Sequence, residues 1–136
     1  MLPDAARLQK HGIRPTAQRL AIAAYVLHTH DHPSADEVWE SVTASFPAVS
    51  RATVYNTLNL FVDQGLLMAL VVTEGRVVFD ANVERHHHFI DDETGEILDL
   101  PWNALRVARM ARLEGIDVRD YQVLVRGTRR RHRARK

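Results

Sequence analysis

The chain has 136 residues, 46% of them apolar, and a formal net charge of +1, which leaves room for one ordinary domain or two very small ones around a real core. It has no cysteine, which excludes disulfides, thiolate zinc sites and cysteine nucleophiles. No apolar run approaches a membrane span, and no basic-then-apolar signal opens the chain, so the expected location is the cytoplasm. The net charge hides an asymmetry. The last eight residues, RRRHRARK, carry six Lys/Arg, and the remainder holds 12 basic against 17 acidic side chains. A mildly acidic body therefore precedes a basic tail at 129–136, of a kind suited either to touching nucleic acid or to solubility.

In chain order, DAARLQKHG reads as a short helix stopped by Gly12. Pro15 and Thr16 open a second helix, TAQRLAIAAYVLHTH, with Leu20, Ala23, Ala24 and Leu27 on one face. Ser34 and Glu37 form a capping box for a third helix through Val38, Trp39 and Val42. Ser50 caps a fourth, RATVYNTLNLFVDQG, ended by Gly65, with Val54, Leu58, Phe61 and Val62 as its apolar stripe. LLMALVVT and RVVFD are β-rich and flank a Glu74-Gly75 turn, a hairpin signal. Helices followed by a hairpin give the winged helix-turn-helix order.

ANVER at 81–85 reads as a hinge. Beyond it the pattern predicts a strand (HHFI), a strand (ILDL), a helix (PWNALRVARMARLEG) and a strand (YQVLVRG). This second unit, 86–128, is too small to stand alone, and pairing with a second copy is the simplest source of a partner surface. The expected class is α+β: a winged-helix DNA-binding domain at 1–80 and a small C-terminal α/β dimerisation domain.

The fourth helix carries short polar and aromatic groups off its apolar stripe. Ser50, Arg51, Thr53, Tyr55 and Asn56 lie near its start, where side chains reach base edges and phosphates in a major groove. Pattern alone does not separate this from an ordinary amphipathic surface helix. Charge argues against it, since residues 1–80 hold six Lys/Arg and eight Asp/Glu. Positive charge must then be localised at Arg14, Arg19 and Arg51, or borrowed from the tail or a bound metal.

A metal is suggested by the stretch around His86, His87 and His88. Asp80 precedes them, Asp99 follows on the next strand, and His32 stands in the loop before the third helix. On a strand His86 and His88 share one face and His87 takes the other. Imidazoles with carboxylates and no thiolate suit Fe(II), Mn(II) or Zn(II) and argue against structural zinc. Three histidines alone would also fit a polar strand end.

GIRPTAQRL, HPSADEVWESV, SRATVYNTLNLFVDQGLL, FD and HHHF together, in this order and spacing, resemble the ferric uptake regulator family over about residues 7 to 127. The resemblance implies a winged-helix homodimer that binds an inverted-repeat operator in double-stranded DNA, with affinity set by a divalent metal. It makes Tyr55 a base-contacting residue and places Arg14 near the minor groove. The peroxide-sensing branch holds its regulatory metal with three His and two Asp, which match His32, Asp80, His86, His88 and Asp99. One Fe(II) or Mn(II) per chain is expected, with Zn(II) able to substitute in vitro. In that branch the histidines matching His32 and His86 are oxidised by peroxide. Iron-sensing relatives tend to have Glu at the place of Asp99 and often Arg at the place of Asn56. By the same resemblance His87 is not a ligand, and His87→Ala is expected to do little.

Two departures from the family follow. Of its four-cysteine zinc site, the first pair falls at Asp91 and Thr94 and the second is gone, so no structural zinc is expected. Tyr121 stands where a second metal site would need histidine. Within the family, the alternative is the haem-answering iron-response regulator type, which also carries an HHH run but for which no Cys-Pro motif exists here. A small metal-dependent hydrolase would need a general base beside an open metal position, and no HExxH is present.

Overall fold

The structure is a computed structural model and describes residues 2–73 and 75–130. Its chain divides between Val83 and Glu84 into two compact units. Most of the basic tail, 131–136, and Glu74 of the expected hairpin turn lie outside the described residues.

The first unit holds four helices and a hairpin: α1 (Asp4–Lys10), α2 (Ala17–Val26), α3 (Ala35–Ser45), α4 (Arg51–Asp63), β1 (Met68–Thr73) and β2 (Arg76–Asp80). Local signals set the boundaries. The side chains of Thr16, Ser34 and Ser50 each accept a backbone N–H three residues on, and Glu37 completes the capping box with Ser34. Such caps satisfy N–H groups that a helix start leaves open, at about 1 kcal/mol each. At the end of α4, Leu66 N–H reaches the Phe61 carbonyl and Gly65 N–H that of Val62. Gly65 has φ of 79°, a left-handed turn that other residues adopt at a cost.

The core of this unit gathers Leu8, Ile22, Val26, Val38, Val42, Val54, Leu58 and Phe61, all 0–1% exposed. Each such side chain contributes roughly 1.5–3 kcal/mol by leaving water. The buried face of α2 is Ile22, Ala23, Val26 and Leu27, whereas Ala24 is exposed and Leu20 half-buried. The helix is apolar nearly all round, so periodicity favoured a face one residue away from the one that packs. Residues 46–50 turn the chain from α3 into α4, whose polar side stays in solvent. β1 and β2 pair antiparallel, Leu70 opposite Val78.

The second unit is a three-stranded sheet in the order β4-β3-β5, from β3 (His86–Asp91), β4 (Ile97–Pro101) and β5 (Leu124–Gly127). β3 pairs antiparallel with β4 and parallel with β5. The helix expected over Pro101–Gly115 is a correction: only two 3-10 turns form, Trp102–Ala104 and Met110–Arg112. Leu105 is extended and Arg109 has φ of 64°. Leu105, Val107, Met110 and Leu113 do not share a narrow helical face. A helix without a packed stripe has little beyond propensity to hold it. The α+β class stands, and among the described residues every α-helix lies in the first unit. No helix among the described residues is long and apolar enough to cross a membrane.

Candidate metal centre and nucleic-acid interface

In the first unit, the loop carrying His32 is tied to the end of the hairpin. Phe79 N–H donates to the Pro33 carbonyl at 2.9 Å, and Ser34 bridges Val78. This brings His32 Nε2 to 3.3 Å from Asp80 Oδ2. The other Asp80 oxygen accepts the Asn82 N–H at 2.9 Å, so the carboxylate is oriented by the chain that leaves β2. His32 has φ of 26°, a backbone conformation uncommon outside glycine and found disproportionately at functional positions.

In the second unit, alternation on β3 puts His86 and His88 on one face, with Nε2 atoms 3.0 Å apart. Asp99 lies directly opposite His88 on β4. Its Oδ1 is 3.4 Å from His86 Nε2 and 3.6 Å from His88 Nε2. His86 Nδ1 is 2.6 Å from the Glu84 carbonyl. A carbonyl can only accept, so Nδ1 carries the proton and Nε2 presents a lone pair toward Asp99. A backbone carbonyl that fixes the tautomer in this way is the usual support of a metal-bound histidine. Two imidazole nitrogens and a carboxylate oxygen thus converge within 3.0–3.6 Å of one another, the spacing of groups that share a proton or a cation. Nitrogen and oxygen donors of this mixture fit Fe(II), Mn(II) or Zn(II).

His87 lies on the opposite face, as alternation predicts, but it is far from idle. It is 1% exposed. Its ring stacks on Trp102 at 4.5 Å, and its Nδ1 accepts the Val123 N–H at 2.9 Å. Burial, first of all, lowers its pKa below the ordinary histidine value, which keeps the ring neutral and Nδ1 able to accept. Arg85 caps the cluster, 3.9 Å from the Trp102 ring. His87→Ala is thus expected to lower stability by about 1–3 kcal/mol, the cost of leaving the part-buried Val123 N–H without its acceptor, while metal affinity stays near that of the parent. Urea unfolding beside a metal titration checks both. This replaces the expectation of a silent substitution.

Asp91 and Thr94 both take part in hydrogen bonds of the β3–β4 turn. Asp91 accepts the N–H of Glu93 at 2.9 Å and lies 3.8 Å from Arg129, which donates to Glu96 at 2.8 Å. An ion-paired arginine joins the end of β5 to the β3–β4 turn. Tyr121 packs on Trp102, ring centres 4.9 Å apart.

The residues expected to face DNA lie on the first unit. Ser50 Oγ accepts the Thr53 N–H and also donates to Thr53 Oγ1 at 2.9 Å, so it acts as the cap of α4. Arg51, Tyr55 and Asn56 are exposed and Thr53 is half-buried. Arg19, Thr53 and Asn56 line one open groove of about 600 Å³ between α2 and α4. Arg19 donates to the Arg14 carbonyl at 3.0 Å, and the Arg14 side chain stays in solvent. Sequence reading missed Asp36, whose carboxylate accepts from both Arg51 and Tyr55. Its only sequence signal is its place beside Glu37 in a capping box.

A family model, the ferric uptake regulator family, matches residues 10–126. The chain is 36% identical over 124 residues to the peroxide-responsive repressor PerR of Staphylococcus aureus, covering 90% of this chain and 84% of that protein. The fold is similar to the Campylobacter jejuni peroxide stress regulator, with 28% identity, a TM-score of 0.67 and 93% of each chain covered. It is also similar to the Vibrio cholerae ferric uptake regulator, with 24% identity, a TM-score of 0.75, and 92% and 98% of the two chains covered. The match spans the winged helix, the histidine strand and the sheet beyond it, and the chain belongs to the ferric uptake regulator family.

Proposed function

We propose that this member of a family of metal-responsive, DNA-binding repressors senses peroxide through a thiol-free nitrogen and oxygen site. His32, Asp80, His86, His88 and Asp99 are its ligands, and one divalent ion per chain is its load. The supporting observation is the short carboxylate of Asp99, 3.4–3.6 Å from two imidazole Nε2 atoms. An aspartate at this place reaches less far than a glutamate and leaves room for a small oxidant. The identity with a peroxide-responsive repressor supports the same reading.

The ligands divide between the units, His32 and Asp80 in one and the rest in the other. A set held together would fix residues 81–85 as a hinge in one position. In a homodimer that position sets the separation of two α4 helices, which an inverted repeat demands. Metal and DNA then favour one conformer, and each raises the other's affinity by the same factor. Regulation of this kind acts where the DNA is, in the cytoplasm. Bound Fe(II) supplies one-electron reduction of peroxide, and Mn(II) does so poorly.

The test is DNA affinity of the full chain with Fe(II) and with Mn(II), each before and after peroxide, under anaerobic handling. The expected result is tight binding with either metal and release by peroxide from the Fe(II) form alone. Equal resistance of both forms to peroxide would leave an iron or manganese sensor in place of a peroxide sensor.

A further inference from the structure

Two of the side chains expected to read DNA are tied to a carboxylate that does not belong to their helix. Arg51 Nη1 and the Tyr55 hydroxyl both donate to Oδ1 of Asp36, each at 3.2 Å. Arg51 and Tyr55 stand one turn apart on α4. Asp36 sits in the first turn of α3, where the capping box fixes the backbone and the helix dipole favours an ionised carboxylate. The Arg51 guanidinium also lies 4.5 Å from the centre of the Trp39 ring, so it is held from two sides. Tyr55 nevertheless remains 44% exposed. The contact presents the ring to solvent and does not bury it. The hydrogen bond to Asp36, above other causes, raises the Tyr55 pKa, so its hydroxyl remains a donor.

A carboxylate at this place carries a cost for a DNA-binding surface. The first 80 residues already hold more acidic than basic groups, and a negative charge beside the reading helix weakens attraction to every phosphate. A gain must offset it, and the shared oxygen indicates which. Arg and Tyr side chains left free would spread over several rotamers, and ordering them on DNA would cost affinity. We infer that Asp36 is a positioning residue for sequence reading: it holds Arg51 and Tyr55 ready for base edges and trades general affinity for discrimination. Repulsion of wrong partners and orientation for the right one are the two components of specificity. This inference rests on the DNA-binding reading above.

The experiment uses Mn(II)-loaded full chain. A duplex enriched by the parent protein from a randomised pool is compared with random duplex of equal length. Asp36→Ala is expected to bind random duplex more tightly and to lose about tenfold in the ratio of enriched to random affinity, the scale of one good base contact. Asp36→Asn keeps a neutral acceptor for the Tyr55 hydroxyl, so it should gain random affinity yet keep more of the ratio than the alanine variant. A DNA-free reading runs beside this. The tyrosine assigned by difference from Tyr55→Phe should ionise nearer its ordinary range in Asp36→Ala. An unchanged ratio in Asp36→Ala, or an unchanged Tyr55 titration, overturns the positioning role. Failure of the parent to enrich any sequence instead overturns the DNA reading itself, and the tyrosine titration still decides whether the contact exists.

Discussion

His86→Ala is expected to abolish metal-dependent DNA binding while leaving the helical fold in place. His86 is the hub of the donor group in its unit: its Nε2 stands 3.0 Å from that of His88 and 3.4 Å from Asp99. The Glu84 carbonyl holds the ring from behind. Changes to such supporting partners alone cost about 10–100-fold in metal affinity, and removal of a proposed ligand should exceed that. Asp80→Ala should have an equal effect from the other unit. Its carboxylate both faces His32 and accepts the Asn82 N–H. In each variant the α-helical signal should be unchanged, because His86 and Asp80 both lie on strands and the α-helices of the described residues end by Asp63. Isothermal titration with Mn(II) and fluorescence anisotropy on DNA measure the two losses. A variant that still binds DNA only when metal is present would remove that residue from the proposed ligand set.

Where the sequence spoke through short-range chemistry, the structure agrees with it. The capping box at Ser34 and Glu37, the Ser50 cap and the glycine after α4 are each decided within four residues, and each lies where its motif puts it. The face taken by His86 and His88 follows from strand alternation alone. Legibility fails where the answer depends on a distant surface. α2 is apolar on more than one side, and only packing against α3 and α4 selects Ile22 and Val26 over Ala24. The stretch after β4 is rich in good helix formers, yet its apolar residues are scattered, and residues 111–120 are all exposed. Alternation put His87 on the far face from His86 and His88 but could not show a wall of Trp102 and Tyr121 to bury it. Asp36 was invisible because its partners are 15 and 19 residues away on another helix.

Peroxide should leave its chemical record on the chain, and the record tells ligands from bystanders. Oxidation of a histidine by peroxide adds one oxygen atom to the imidazole and yields water, a two-electron change that lowers the ring's basicity. A poorer donor binds metal less tightly, and by linkage the DNA is released. With no cysteine in the chain, thiol chemistry cannot carry the signal, and dithiothreitol should not restore binding. Peptide mapping of the Fe(II)-loaded protein after peroxide should find the added oxygen on His32 or His86. Fragmentation must place it, because a methionine such as Met68 also takes one oxygen. His87 is the internal control: it shares a peptide with His86 but stacks on Trp102 on the other face of β3, and it should remain unmodified. Asp99→Glu tests why the site admits the oxidant. The longer carboxylate keeps a donor opposite His88 and should preserve metal-dependent DNA binding. It also reaches further into the site and should slow both release and histidine modification by about tenfold or more, the size of a modest change in barrier. Oxygen found equally on His87 and His86 would show diffuse damage and no directed chemistry. A glutamate variant as peroxide-sensitive as the parent would take Asp99 out of the sensing step.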